Sequence, residues 1–384
     1  MLRTLLRPTL REPIKAAVLL CAAAALMVYP QQCMQTVRQG LDLCARTIIP
    51  SLFPFFVLSG MVVELGMANY LGKLLKGMMR PLFRVNGAGA AALVLGLVGG
   101  YPVGARTAIE LYRTGQCSRV ETERLLAFCN NSGPAFILGV VGAGVFGSNR
   151  AGLALYLVHI AASLCVGVLF RFYDGEEERV NVPVRQPVRT VRFSAAFTDS
   201  VRSALTGVLN ICAFVVTFAV LIRMLSETGL LGAAARLLSV LGLNAGQGKQ
   251  LLSGLLEVSS GVAGLEGRGR LTMAAFMLGW AGLSVHCQVL CFLSDSGLRV
   301  SAYLIGKALH GGLSALFMAV LSWRFPQTVP AAGWLGQQAE HGMGLHNVFL
   351  PVLAAWLIWT VFLVIAAAGE KYEKKGGKVV PIAV

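Results

Sequence analysis

Two apolar stretches of this chain are broken by residues that a membrane helix does not carry without reason: Gly99-Gly-Tyr-Pro-Val-Gly104 and, further on, Asn130-Asn-Ser-Gly-Pro134. Hydrocarbon cannot hydrogen-bond an interrupted backbone, so helix breakers persist at membrane depth only where the chain is buried in protein or lines a cavity. The breaks therefore mark the functional centre. The surroundings are unmistakably those of a membrane protein: 56% of residues are hydrophobic and 13% charged, against about 25% charged in soluble domains. That composition argues against a soluble enzyme. The net charge of +15 sits in short loops between apolar runs rather than on one solvated face, which points to membrane topology and not to nucleic acid.

Arg3, Arg7, Arg11 and Lys15 precede an apolar run in the outline of a signal peptide. Tyr29-Pro-Gln-Gln follows in place of a small-residue cleavage site, so the segment reads as an uncleaved first span. Apolar segments lie at 16–29, 45–66, 132–147, 151–171, 204–225, 272–293, 301–323 and 348–369, most near the roughly 20 residues that a bilayer requires. Two shorter pieces, 87–100 and 251–265, run into glycine-rich breaks and read as half-helices or re-entrant loops. The stretches 70–84 and 108–128 carry charges on one helical face beside leucines, the pattern of helices lying in the interface. Nine cysteines form no Cys-x-x-Cys pair and read as small core residues.

Compared with itself at an offset of 160, the chain repeats. Residues 50–75 overlay 210–235, the Leu71-Gly72 pair meets Leu231-Gly232, and 97–104 meets Glu257-Val-Ser-Ser-Gly-Val-Ala-Gly264. Beyond the break the second copy is shorter: Ser132-Gly133 matches Ala281-Gly282, and 156–170 matches 303–317. An amino terminus inside places 23 of the 33 basic residues on the cytoplasmic side and nine at or beyond the outer side, as the positive-inside rule requires. Both termini are then cytoplasmic, and each repeat makes three full crossings, which inverts the second. Inverted repeats with paired broken helices are the architecture of many secondary transporters. The polar, proline-containing stretch between the copies has linker composition.

The runs Gly99-Gly-Tyr-Pro-Val-Gly-Ala105, Leu125-Leu-Ala-Phe-Cys-Asn-Asn-Ser-Gly-Pro-Ala-Phe-Ile-Leu-Gly139 and Leu278-Gly-Trp-Ala-Gly-Leu-Ser-Val-His-Cys-Gln-Val289 closely resemble the YlbJ family of bacterial sporulation integral membrane proteins. The likeness spans roughly 38–323. That family carries the nucleoside-recognition (Gate) domain, shared more loosely with concentrative nucleoside transporters, ferrous-iron transporters and spore maturation proteins. The resemblance implies a multi-pass cell-membrane protein of endospore formation that moves or senses a small solute. The expected fold is all-α, with two inverted repeats, about 8 spanning helices and 2 half-helix hairpins. The expected division is a transmembrane helix (1–37), Gate repeat 1 (38–172), a cytoplasmic linker (173–193), Gate repeat 2 (194–323), an extracytoplasmic loop (324–347), and a last helix with a basic tail (348–384).

The candidate site follows from side-chain chemistry. Asn130, Asn131 and Ser132 offer amide and hydroxyl groups, and Gly133 with Pro134 opens the next helix where the missing proline N–H costs nothing. The free N–H groups at such a half-helix end suit a carboxylate, a phosphate or the carbonyl edge of a base. Capping of the following helix, alone or combined with solute contact, accounts for these residues equally well. Gly100, Tyr101, Pro102 and Gly104 allow an unwound turn over a ligand, or close helix packing through small residues. In the second copy Ser259 and Ser260 follow Glu257, an intramembrane carboxylate that is either the candidate for coupling to a proton or sodium ion, or part of a structural ion pair, or interfacial. Arg106 and Glu266 occupy equivalent places after each break, as gating or anchoring charges.

Ser284, His286 and Gln288 alternate, so on one helix they cannot share a face unless the segment is unwound near Gly279 and Gly282. Lys307 and His310 form a polar pair facing the bundle, with His159 in the matching span. No phosphate-binding loop, His-Glu-x-x-His or Gly-x-Ser-x-Gly motif occurs, so neither catalysis nor a cofactor nor a metal is expected. The expected partners are a small, nucleoside-like solute, a coupling ion and the lipid bilayer. No nucleic acid partner is expected, and a homo-oligomer is compatible with the pattern. Two readings remain: a secondary transporter or channel with a broken-helix gate at the repeat interface, or a non-transporting scaffold or sensor for maturation of the spore cortex or coat.

Overall fold

A computed structural model describes residues 8–65, 74–75, 77–173, 192–238, 244–265, 269–294 and 296–324. Most of the predicted linker, all of the predicted loop beyond Arg324, the helix and tail at 348–384, Glu266 and the Leu71-Gly72 pair lie outside the described residues. Helices account for all regular structure among the described residues. α1 (Pro8–Val28) meets α2 (Pro30–Leu43) at Tyr29, where Pro30 stands in the first turn and needs no N–H partner. A π-turn, Cys44–Ile48, joins α2 to α3 (Ile49–Glu64). The apolar span of this region therefore runs Pro30–Leu58 and starts earlier than the predicted 45–66.

The first repeat proper is α4 (Ala90–Gly99), α5 (Val103–Arg113), α6 (Arg119–Phe128), the π-wound α7 (Ala135–Val145) and the long α8 (Asn149–Phe170). After α9 (Phe193–Glu227) and α10 (Leu230–Leu237), the same order returns. It comprises α11 (Ala245–Leu256), α12 (Val258–Ala263), α13 (Arg270–Trp280), α14 (Gly282–Leu293) and the long α15 (Val300–Arg324). Half-helix, break, half-helix, twice over and closed by a long helix, is the duplicated unit.

The breaks differ from the sequence expectation in two respects. The segment 272–293 is not one helix, because Ala281 (φ 84°) and Gly282 (φ 80°) are left-handed and split it into α13 and α14. In the other copy, only Ala135–Val145 of 132–147 is helical, after an irregular stretch at 130–133. The self-alignment also sets Glu257 opposite Leu97, whereas the folded chain puts Glu257 in the same element position as the Gly100–Pro102 turn. A hydrophobic match cannot fix the register at a break, since the residues there do not pack periodically.

The stretch 108–128 divides: Glu110 and Arg113 on α5 are exposed, as an interfacial face requires. α6 is interior: Thr122, Glu123, Arg124, Leu125 and Leu126 are all buried. Its charges are matched across the fold. Arg124 donates to the carbonyls of Tyr173 (3.0 Å) and Arg84 (2.8 Å). Glu123 accepts from Arg119 (3.1 Å), the Tyr173 hydroxyl (2.9 Å) and the Arg299 N–H (2.9 Å). The long helices turn leucines outward instead, and on α15 Ile305, Leu309, Leu316 and Val320 are exposed while Lys307, His310 and Ser314 are buried. In lipid such a face is satisfied without protein cover.

Candidate functional site

Glycine lets the broken helices approach to backbone contact. A Cβ built on Gly96 or Gly104 would lie 1.7 or 2.0 Å from the Cys129 carbonyl oxygen, so α4 and α5 clasp the end of α6. Gly100 meets Gly133 in the same way, and in the second repeat Gly261 meets Gly254 and Gly282 meets Val258. Each repeat thus stacks its own two breaks against each other.

Between the two stacks lies a cavity of about 60 Å³, lined from both repeats. Gly100, Tyr101, Ser132 and Gly133 come from the first repeat, and Glu257, Ser259, Ser284 and Gln288 from the second. Phe56, Phe136 and Phe214 give it aromatic walls. Its volume holds a few waters and no metabolite. Of the remaining sequence candidates, Gly104 serves the close packing at Cys129, and Pro102, Asn130, Asn131 and Ser260 lie outside the lining. Arg106 is exposed.

The second break satisfies itself locally. Glu257, 1% exposed, caps α12 with both oxygens, accepting from Ser259 N–H (2.9 Å) and Ser260 N–H (2.6 Å). Trp280 Nε1 donates to the Leu255 carbonyl (3.2 Å), tying α13 to the end of α11. The puzzle of alternating polar residues on α14 resolves by division. Ser284 and Gln288, four apart, line the cavity, while His286 Nδ1 pairs with the Tyr303 hydroxyl at 2.8 Å.

The first break is satisfied from elsewhere. Asn131 does not cap the helix that follows; its Nδ2 donates back to the Phe128 carbonyl (2.8 Å), which also accepts from Ser163 (2.8 Å). The Ser132 N–H, expected to face a ligand, donates to His159 Nε2 at 3.1 Å. Lys307 Nζ donates to the Asn130 carbonyl (3.1 Å) and contacts His310 Nδ1 (3.2 Å). His310 Nε2 lies 3.0 Å from the His159 carbonyl, with the two rings 4.4 Å apart. The Lys307–His310 pair stands as the spacing suggested, and its link to His159 is a contact that the sequence did not show. What the sequence did not reveal is that Tyr101 reaches into the other repeat, donating to the Leu278 carbonyl at 2.9 Å.

Residues 45–170 match the sequence profile of the family described as Gate: nucleoside recognition. The chain is 31% identical over 338 residues to the sporulation integral membrane protein YlbJ of Bacillus subtilis (strain 168), covering 80% of this chain and 82% of that protein. Among solved structures it is similar to CNTnw in an inward-facing substrate-bound state, with a TM-score of 0.50, 15% identity, and 81% and 84% of the two chains covered. A variant of CNTnw in an outward-facing state gives the same TM-score and identity, with 82% and 85% covered. At that identity the likeness is one of fold: an all-helical, repeated gate architecture shared with a concentrative nucleoside transporter.

Proposed function

The chain belongs to the YlbJ family of sporulation integral membrane proteins, and from that premise we propose that it is a secondary transporter for a small, nucleoside-like solute. The observation that carries the proposal is the cavity, to which both repeats contribute a broken helix pair and where hydroxyls, an amide, a carboxylate and aromatic rings converge. Such a site at the junction of inverted repeats is where alternating-access proteins hold their cargo. Serine hydroxyls, Gln288 and Glu257 suit a polyol and the edge of a base, and the phenyl rings suit its face. Its small volume is that of a closed gate, and admission of solute requires the two stacks to part.

The cargo is uncharged or cationic. Glu257 already fills the anion position at the start of α12, and His159 takes the Ser132 N–H, so a phosphate would meet a buried carboxylate instead of free donors. Glu257 is also the route for proton coupling: protonation removes an acceptor from the Ser259 and Ser260 N–H groups and loosens the α11–α12 turn beside the cavity.

Uptake of radiolabelled nucleosides into vesicles reconstituted with the full chain tests this reading. Wild type is expected to take up at least one neutral nucleoside and no nucleotide, and Glu257→Gln to lose that uptake. Absence of uptake across a nucleoside panel, or uptake untouched by Glu257→Gln, rejects it. The inverted topology has its own test: single cysteines introduced at Arg150 and Gly175 are expected to label from outside and inside respectively.

A further inference from the structure

Lys307 is 1% exposed, and among the described residues no carboxylate lies within salt-bridge distance of its ammonium. No group facing it is acidic: the Asn130 carbonyl, the Tyr101 hydroxyl at 3.5 Å, the Tyr101 ring with its centroid at 5.3 Å, and the His310 imidazole. His159, His286, Tyr303 and Cys129 stand behind these on α8, α14, α15 and the end of α6. This is the surrounding of a bound cation, not of an ion pair. The Asn130 carbonyl follows the C-terminal end of half-helix α6, where the helix dipole is negative. Unwound carbonyls at half-helix ends are where broken-helix transporters coordinate a coupling ion.

The packing brings the ammonium there deliberately. Gly306 lets α15 touch α6, since a Cβ at that position would lie 2.5 Å from Ala127 backbone atoms. Five residues on, Gly311 lets α15 touch Gly279 near the end of α13. Lys307 and His310 stand between these two contacts. Through Asn130, Tyr101 and the Tyr101–Leu278 bond, one ammonium connects both breaks of the first repeat to the second break of the other. Next along the chain from the Asn130 carbonyl, Asn131 Oδ1 and Ser132 Oγ are buried without a hydrogen-bond partner among the described residues, while the Asn130 side chain meets the Tyr303 hydroxyl.

We propose that the Lys307 ammonium is a tethered cation standing where a mobile sodium ion would otherwise bind between the broken helices, so that the protein works without sodium. The inference rests on the broken-helix gate proposed above and adds that its cation is built into the chain. It also assigns Asn131 Oδ1 and Ser132 Oγ as latent ligands, available to a metal ion once the lysine is removed.

Thermal unfolding of the purified full chain in detergent, in sodium chloride against equimolar choline chloride, tests this without any substrate. Wild type is expected to show the same Tm in both salts. Lys307→Ala, which empties the cradle, is expected to gain a sodium-specific rise of about 2–4 °C when sodium is at about ten times its dissociation constant. Lys307→Arg, which keeps a tethered cation, is expected to gain none. A sodium-specific rise in wild type overturns the proposal, as does a folded Lys307→Ala protein indifferent to sodium. Should Lys307→Ala fail to fold, Lys307→Met is read the same way, and the wild-type comparison stands whatever the variants do. Vesicle uptake equal in sodium and choline agrees with the proposal, whereas sodium-dependent uptake contradicts it. A complete lack of uptake counts against the transporter reading alone and leaves the thermal result to judge Lys307.

Discussion

The two repeats solve one problem in two ways. Both interrupt helices inside the bundle, and both must find partners for the backbone groups that the interruption frees. The second repeat does so mainly through groups beside its breaks: Glu257 caps the helix it begins and Trp280 closes on the end of α11, with one bond from the other repeat, Tyr101 to the Leu278 carbonyl. The first relies on long helices instead, His159 and Ser163 on its own α8 and Lys307 on α15 of the other repeat. A self-satisfied break can change shape without disturbing its neighbours, whereas a break pinned from two long helices moves only if those helices move. If the two stacks part as proposed, this difference predicts that the second repeat moves and the first stays anchored.

The sharpest way to break this comparison is at the glycine clasp of the anchored side. Gly104→Ala puts a methyl group where a backbone carbonyl already is, and we expect a loss above about 3 kcal/mol, read as failure to recover monodisperse protein. A stable Gly104→Ala protein would mean that the clasp is loose. Next, His159→Ala leaves the Ser132 N–H buried without an acceptor and is expected to cost about 1–3 kcal/mol, measured as a fall in Tm. Glu257→Gln, on the mobile side, is expected to lower Tm less than His159→Ala while abolishing uptake. The opposite ranking would exchange the roles of the two repeats. Tyr101→Phe cuts the strut between them at Leu278 and is expected to cost about 1 kcal/mol. Its coupling to Lys307→Met in a double-mutant cycle, about 0.5–3 kcal/mol if the two act together, checks that they form one network. The smallest effect is a gain: Ala281→Gly relieves a left-handed alanine and is expected to stabilise by about 0.5–1 kcal/mol, seen as a small rise in Tm.

Much of this was legible in the residues because helix breakers in apolar runs are conspicuous. Glycine and proline at 99–104 and 133–134, and a lone carboxylate at 257, announce breaks whatever the packing, and self-comparison pairs them. The spacing of Ser284 and Gln288 likewise allowed one shared face once His286 was set aside. The interior position of α6 was not legible for a definite reason. Charges on one helical face look the same whether they meet headgroups or, as Glu123 and Arg124 do, partners about 50 and 175 positions away along the chain. In the same way, nothing local shows that the Ser132 N–H meets His159, 27 residues later.

By itself, then, the sequence determined that this chain lies in a membrane, that it is duplicated, and that its helices break within the apolar runs. Those features follow from composition, periodicity and local backbone chemistry, which act over a few residues. Tertiary structure alone decided that both pairs of breaks converge on one cavity, that α6 is interior, and that Lys307 rests on the carbonyl of Asn130. Each depends on how closely α15 can approach α6 and α13, and that approach is set by Gly306, Gly279 and Gly311 meeting backbone across the fold. A glycine in an apolar helix records that something comes close; only the folded chain says what.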